Sequence, residues 1–256
     1  LYYQSIISVS DREIDGEHYE VLVRLRDENG EILPPYAFFA SAERYNLMHL
    51  IDRWVIRNLF ANFGEYYRSI WQVCQTKNYN CLYTVNLSGA SINDDRFIDF
   101  IHEQFSLHQI PPQLICFEIT ETIAITNLTK AVHFIKQLKK LGCRFALDDF
   151  GSGMSSFNYL KNLPLDYLKI DGQFIKDILQ DSTDLAIVTS INQVAHLMGL
   201  KTIAEFVENK NILVKLQEIG VDFAQGYYIA RPSPLLTKSL QAQKQKSRET
   251  GRLGDD

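Results

Sequence analysis

The sequence predicts an α/β fold, a modified TIM-like (β/α)8 barrel whose first strand runs antiparallel to its neighbour. Short apolar runs alternate with amphipathic helical patterns along the 256 residues, which is typical of parallel strands joined by crossover helices. Eight strand candidates occur, the number that closes such a barrel. Only Val9–His18 separates the first two, which is too short for a crossover helix and suits a hairpin. A doubly wound open sheet is the alternative, because a strand count does not show closure.

The strand candidates are short apolar runs bounded by polar or turn-forming residues. In chain order they are Tyr2–Ser8, Tyr19–Leu25, Leu82–Ser88, Leu114–Thr120, Cys143–Asp149, Asp166–Asp171, Lys201–Glu205 and Val221–Gly226.

The helical patterns repeat apolar residues at intervals of three and four. Two of them, about Tyr36–Arg44 and Leu47–Tyr66, lie between the second and third strand candidates. Three later patterns each end at a glycine suited to a helix C-terminus. These are residues 128–141 before Gly142, 185–198 before Gly199, and 212–219 before Gly220, with Asn209 or Asn211 as the N-cap of the last.

Composition bounds the function. The chain is 46% hydrophobic and 22% charged, as in an ordinary soluble protein, and it has no apolar run long enough to span a membrane. The net charge of −5 argues against binding duplex nucleic acid. The four cysteines form no CxxC pair and the six histidines no HxxH pair, which argues against a zinc site and favours a reducing cytoplasm.

Residues 1–237 are expected to form one domain, and residues 238–256 a polar tail that is partly disordered. The chain starts at Leu1 inside a strand-like run, so we interpret it as a fragment of a longer protein, whose anchoring to a membrane stays open.

Polar residues cluster at the ends of the strand candidates, where the loops of a barrel carry its chemistry. On the second strand, alternation places Glu20, Leu22 and Arg24 on one face, towards the barrel axis. The opposite face carries Val21, Val23 and Leu25 and is expected to pack on helices. The other strands contribute Asn86, Glu118, Asp148, Asp149, Lys169, Glu205 and Gln225.

Five of these residues are carboxylates, namely Glu20, Glu118, Asp148, Asp149 and Glu205, which would repel one another if left uncompensated. Divalent cations would offset this repulsion, and an all-oxygen ligand set that includes Asn86 suits Mg²⁺ or Mn²⁺. Two ions bridged by a carboxylate would serve phosphoryl chemistry, with Lys169 as a cation near the attacking water. Taken singly, each acid could instead cap a helix, Glu121 and Asp149 above all, and Lys169 could be a surface or ion-pair residue.

Seven motifs in this order resemble the EAL domain, the bacterial cyclic-di-GMP phosphodiesterase family. The match runs from Tyr2 to Leu236, and the resemblance implies the same modified barrel and hydrolysis of cyclic-di-GMP to linear pGpG. The motifs are Glu20-Val21-Leu22-Val23-Arg24, Asn86-Leu87-Ser88, Glu118-Ile119-Thr120-Glu121, Asp148-Asp149-Phe150-Gly151-Ser152-Gly153, Lys169-Ile170-Asp171, Glu205-Phe206-Val207-Glu208 and Gln225-Gly226-Tyr227.

The resemblance also implies roles for individual residues. One metal ion would be held by Glu20, Asn86, Glu118 and Asp148, and a second by Asp148, Asp149 and Glu205. Lys169 would orient or deprotonate the attacking water, with Glu205 as the other candidate base. Glu121 and Glu208 would anchor the loop Asp149–Asn158, and the nucleotide would contact Gln4, Leu22, Arg24 and Gln225.

The resemblance further implies a homodimer and an upstream sensor or GGDEF-type domain in the full-length protein. The chain departs from the family pattern at Val21, Ser152, Met154 and Phe206, and none of these changes removes a predicted ligand. Phe206 stands where a glycine is usual. Two other functions stay open, a non-catalytic cyclic-di-GMP receptor and a metal-dependent enzyme for another substrate such as a sugar phosphate.

Overall fold

The computed structural model describes residues 1–10, 18–77, 82–151 and 157–235. Its strands are β1 (Tyr2–Ser8), β2 (His18–Leu22), β3 (Leu25–Arg26), β4 (Ile32–Leu33), β5 (Leu82–Asn86), β6 (Ile115–Thr120), β7 (Arg144–Phe150), β8 (Tyr167–Ile170), β9 (Lys201–Ala204), β10 (Phe223–Ala224) and β11 (Ser233–Pro234).

The helices alternate with these strands, and a 3₁₀ turn at Pro112–Leu114 leads into β6. They are α1 (Pro35–Arg44), α2 (Met48–Lys77), α3 (Gly89–Ile92), α4 (Arg96–His108), α5 (Glu121–Thr126), α6 (Leu128–Leu141), α7 (Phe157–Leu160), α8 (Gly172–Lys176), α9 (Ser182–Leu197) and α10 (Lys210–Ile219).

Eight of the described strands close into a barrel in the order β10-β9-β8-β7-β6-β5-β2-β1, and β1 pairs back with β10. Strand β1 is antiparallel to both neighbours, with Gln4 opposite Glu20 and Ile7 opposite Ala224. The other barrel pairs are parallel. The predicted fold class is therefore confirmed, and the open-sheet alternative is wrong. The predicted hairpin at Val9–His18 lies mostly outside the described residues.

The second strand is shorter than predicted. It ends at Leu22, and Leu25 pairs instead with Leu33 in a separate two-stranded ribbon, β3–β4. The turn of this ribbon is built around Asp27, whose Oδ1 accepts hydrogen bonds from the backbone N–H groups of Asn29 and Glu31. Leu25 is 44% exposed, so the expectation that it packs on helices is wrong.

The predicted helix ends are confirmed in the second half of the chain. Gly142 and Gly220 occupy the C-cap positions of α6 and α10 with positive φ angles, and Gly199 follows the C-cap of α9 with φ 77°. Asn209, not Asn211, is the N-cap of α10, since its side chain accepts a hydrogen bond from Ile212 N. Helix α2 runs beyond Tyr66 to Lys77.

The main core lies between the barrel and its helices, where aromatic rings such as Phe97, Phe117, Phe134 and Phe145 are fully buried. Two cysteines, Cys116 and Cys143, are buried free thiols. Among the helices that the structure describes, none is both long and apolar enough to cross a membrane. The predicted polar tail, residues 238–256, falls outside the described residues, and the domain boundary at 237 stays a prediction.

Candidate metal centre

Two layers of side chains fill the inside of the barrel. The lower layer is a buried apolar cluster of Ile6, Leu82, Cys116, Ala146, Tyr167, Ile203 and Phe223. Because side chains alternate along a strand, the residues two positions away face the same interior. The second layer consists of Gln4, Glu118, Asp148, Lys169, Glu205 and Gln225, each two positions from a member of the apolar cluster. The sequence thus builds an apolar floor beneath a polar mouth.

Lys169 is the centre of this polar layer. It is fully buried, and its Nζ lies 2.7 Å from Glu118 Oε1, 2.9 Å from Glu205 Oε1 and 3.0 Å from Asp148 Oδ1. A fourth carboxylate oxygen, Glu20 Oε2, lies at 3.7 Å. Lys169 is therefore an ion-pair residue but not a surface residue. Its ammonium group meets acids from β2, β6 and β7 and the acid that directly follows β9.

Glu20 also accepts hydrogen bonds from two side-chain amides. Its Oε1 accepts a hydrogen bond of 2.7 Å from Asn86 Nδ2, and its Oε2 accepts one of 2.6 Å from Gln225 Nε2. The same Gln225 amide donates to Gln4 Oε1 at 3.0 Å. The amide nitrogen of Asn86 is thereby engaged, which leaves its oxygen as the group that could ligate a metal ion.

Asp149 joins the acids through an irregularity of β7. The pairing of β7 with β8 shifts register between Leu147 and Phe150, and Asp149 has a left-handed φ of 54°. A bulge of this kind re-aims a side chain that regular alternation would turn away. As a result, oxygens of Asp148, Asp149 and Glu205 lie within 4.8 Å of one another. Asp149 is thus a strand residue of the cluster, and its interpretation as a helix cap is wrong.

The pKa values follow from this crowding. Burial lowers the pKa of Lys169, but the surrounding carboxylates, Asp148 first, outweigh it and raise this pKa well above its usual range. Burial raises the pKa of Glu118 well above its ordinary value and that of Glu205 to about 8. Burial and the charge of Asp148 raise the pKa of Asp149 to about 6. Glu118, Asp149 and Glu205 therefore hold protons more tightly than exposed carboxylates do.

The side-chain atoms available as metal ligands in this cluster fit a divalent cation. Within the described residues, the buried atoms Glu118 Oε2 and Asp148 Oδ1 have no hydrogen-bond partner, although Asp148 Oδ1 is close to Lys169. Buried acceptors that lack a donor are costly, and a metal ion satisfies them. The predicted ligand atoms are all oxygens, which Mg²⁺ and Mn²⁺ prefer.

Glu121 occupies the first turn of α5, while Thr120 is the N-cap of that helix, so the interpretation of Glu121 as a cap is wrong. Its carboxylate accepts hydrogen bonds from Gly151 N at 3.2 Å and from the Tyr159 hydroxyl at 2.6 Å. These partners flank residues 152–156, which lie outside the described residues. Glu208 is exposed and lines a cavity that Glu20 and Glu205 also line, and its anchoring role stays a prediction.

Two cavities open on either side of Leu22 and Arg24. The larger, of about 560 Å³, extends over Phe39, Glu43 and Ile51 of α1 and α2. The smaller, of about 310 Å³, is lined by Gln4, Lys176, Phe206, Gln225 and Tyr227. Glu20 lines both cavities, and Glu205 lines the smaller one, so both cavities reach the acidic cluster.

Sequence reasoning missed a buried acid, Asp52, and the close approach at Gly226. Asp52 lines the larger cavity from α2, and an acid between the apolar residues Ile51 and Val55 was the available signal. A Cβ atom on Gly226 would lie 2.2 Å from the backbone N and O atoms of Val207, so only glycine fits there.

A sequence model of the family described as "EAL domain" matches residues 1–232. The chain is 45% identical over 237 residues to the cyclic di-GMP phosphodiesterase PdeB of Shewanella oneidensis, which covers 92% of this chain and 26% of that relative. The chain thus spans about a quarter of the length of this curated relative.

Solved structures with the same fold match most of the chain. The crystal structure of the FimX EAL domain from Pseudomonas aeruginosa bound to c-di-GMP has a TM-score of 0.81 and 31% identity, covering 91% of this chain and 90% of that chain. The phosphodiesterase PaMucR in complex with c-di-GMP has a TM-score of 0.80 and 29% identity, covering 91% of each chain.

Proposed function

This chain belongs to the EAL domain family, and on that premise we propose that it hydrolyses one phosphodiester bond of cyclic-di-GMP, with divalent metal ions, to give linear pGpG. The observation that supports the proposal best is the oxygen-only cluster around Lys169, in which Glu118, Asp148 and Glu205 lie within 3.0 Å of one ammonium group. Divalent ions held by this cluster would offset the negative charge that develops on the oxygens of a phosphodiester during hydrolysis.

We propose that Glu20, Asn86, Glu118 and Asp148 hold one ion, and that Asp148, Asp149 and Glu205 hold the second. Mg²⁺ or Mn²⁺ at these positions would neutralise the phosphate and lower the pKa of a bound water molecule. The oxygen atoms of these side chains and the buried Glu118 Oε2, which has no hydrogen-bond partner within the described residues, support this ligand set.

The chain's own residues then handle the water and its proton. The ammonium group of Lys169 stays charged because carboxylates surround it, so it is suited to orient the attacking water rather than to deprotonate it. Glu205 is the other candidate base, because its carboxylate lies inside the cluster, 2.9 Å from Lys169 Nζ.

Substrate contacts are proposed for Gln4, Leu22, Arg24 and Gln225. The buried Gln225 Oε1 has no hydrogen-bond partner within the described residues, so it is available to accept one from a ligand N–H or O–H group. The Arg24 guanidinium is held beside the Tyr2 ring, 5.6 Å from its centroid, and can meet a phosphate or a base at the boundary of the two cavities.

The test mixes the purified protein with cyclic-di-GMP and either Mg²⁺ or Mn²⁺ and follows pGpG by chromatography. We expect turnover that a chelator abolishes, and a Lys169→Ala variant should lose kcat far more than affinity. A folded protein without turnover in either metal refutes the proposal. Binding without product that is insensitive to chelator favours the receptor alternative, and a sugar phosphate that competes with cyclic-di-GMP and is itself hydrolysed favours another substrate.

We further propose that the domain acts as a cytoplasmic homodimer within a longer protein that carries a sensor or GGDEF-type domain. The length of PdeB, of which this chain matches 26%, supports the longer protein. Analytical ultracentrifugation of this chain tests the dimer, and a single monomeric species at micromolar concentration contradicts it.

A further inference from the structure

Asp52 is a buried acid that the proposed chemistry does not use. It lies in the second turn of α2, is 5% exposed, and takes part in no ion pair found within the described residues. Burial raises the pKa of Asp52, although hydrogen bonds from Ser88 and Ser91 oppose the shift. Since a buried carboxylate costs free energy, its presence beside the apolar Val55 and Ile56 calls for a compensating role.

Three donors converge on a single oxygen of this carboxylate. Asp52 Oδ2 accepts hydrogen bonds from Ser88 N at 2.9 Å, Ser88 Oγ at 2.6 Å and Ser91 Oγ at 2.6 Å. Ser88 is the N-cap residue of α3, yet its side chain makes no capping bond to that helix. An acid from another helix therefore holds the start of α3, in place of the local cap that a serine normally provides.

The segment that Asp52 holds begins two residues after Asn86. Asn86 is the last residue of β5 and lies opposite Glu118 in the parallel pairing with β6. Between Asn86 and Ser88, the backbone N–H of Leu87 donates to Glu118 O at 2.8 Å. The chain leaving Asn86 is thus fixed first to β6 and then to α2, so its amide has little freedom to move away from Glu20 and Glu118.

We propose that Asp52 is a positioning residue, which through Ser88 and Ser91 holds Asn86 in the geometry that metal binding requires. The proposal rests on the proposed function for the assignment of Asn86 as a ligand. Groups that orient metal ligands from outside typically change metal affinity by about 10- to 100-fold when they are removed. Asp52 reaches its ligand through the backbone, which places the expected effect at about tenfold.

The experiment measures Mn²⁺ affinity by calorimetry on the chain without nucleotide. Asp52→Asn keeps the shape of the side chain but removes its charge, and Ser91→Ala removes one donor and leaves α2 intact. Both should weaken the Mn²⁺ affinity, Asp52→Asn by about tenfold and Ser91→Ala by less. Asp94→Asn is the matched control, because it removes a carboxylate whose recorded side-chain partners are Arg53 of α2, at 2.7 Å, and the backbone N–H of Arg96, rather than Ser88 or Ser91. Its Mn²⁺ affinity should stay within about twofold of that of the wild type.

A double-mutant cycle with Asn86→Ala separates positioning from a general loss of structure. If Asp52 acts through Asn86, adding Asp52→Asn to Asn86→Ala changes the Mn²⁺ affinity no further. Equal losses in both backgrounds, or a loss in Asp52→Asn no greater than in Asp94→Asn, overturn the proposal. A wild type that binds Mn²⁺ but leaves cyclic-di-GMP intact refutes the phosphodiesterase and not the positioning role, whereas a wild type that binds no Mn²⁺ refutes both.

Discussion

Replacing Lys169 by methionine removes the buried ammonium group and keeps a side chain of similar length. At an effective dielectric constant of about 20, each carboxylate oxygen near 3 Å attracts the ammonium by about 5–6 kcal/mol, and desolvation of the amine offsets much of this. Breaking a buried charge pair typically costs about 3–5 kcal/mol, because it leaves an uncompensated charge behind. We therefore expect Lys169→Met to lower the free energy of unfolding of the metal-free chain by about 3–5 kcal/mol at pH 8.

The loss of unfolding free energy in Lys169→Met should become larger as the pH rises. The pKa of Glu205 is already raised to about 8, so the folded state holds a proton that the unfolded state releases near pH 4.5. Without Lys169, we expect the folded state to bind a further proton among the crowded acids. Each extra proton bound in the folded state makes stability fall by about 1.4 kcal/mol per pH unit as the pH rises. The deficit of Lys169→Met should thus be about 3 kcal/mol smaller at pH 6 than at pH 8.

Urea denaturation of both chains in chelator at pH 6 and pH 8 measures these differences, and Mn²⁺ should restore most of the stability of the variant. Lys139→Met is the control, because it breaks a partly exposed pair with Asp166 at 2.7 Å and should cost no more than about 1 kcal/mol at either pH. A deficit in Lys169→Met that is equal at both pH values, or absent at pH 8, would refute the reasoning.

Three further predictions concern the same mouth of the barrel. Glu20→Ala should abolish pGpG formation while circular dichroism shows an unchanged fold, and full activity in this variant contradicts its assignment as a ligand. Mn²⁺ affinity should rise between pH 5 and pH 7, because a proton competes for Asp149 below its pKa of about 6, and titrations of an Asp149→Asn variant should show a flatter profile. Gly226→Ala should destabilise the chain by about 3 kcal/mol, since its Cβ would meet the Val207 backbone at 2.2 Å, whereas Gly89→Ala, with contacts no closer than 3.5 Å, should unfold like the wild type in urea.

The barrel could be predicted from sequence because its signals are local. Each strand is a short apolar run, and its alternation fixes which side chains face the axis. Glu118, two residues beyond Cys116, and Glu205, two beyond Ile203, could therefore be assigned to the mouth before any coordinates. The short link after Ser8 likewise predicted the antiparallel first strand.

What the sequence could not supply are features that depend on contacts between distant segments. The bulge in β7 breaks the strand alternation, which by itself would turn the side chain of Asp149 away from that of Asp148. The burial of Lys169 depends on acids from three other strands and on Glu205 after β9, so no pattern around the residue itself indicates that it is buried. Asp52 meets Ser88 across 36 positions in the chain, and no local pattern indicates that contact.

The buried ammonium group of Lys169 also allows the acidic layer to form without bound metal ions. A pocket of acids that only metal ions could hold together would form late and would fall apart whenever the ions left. In this chain the ammonium group of Lys169, which is part of the protein itself, holds the acids together once the barrel has closed. On the proposed function, scarcity of magnesium or manganese should therefore stop the activity without unfolding the protein, and resupply should restore the activity without new synthesis.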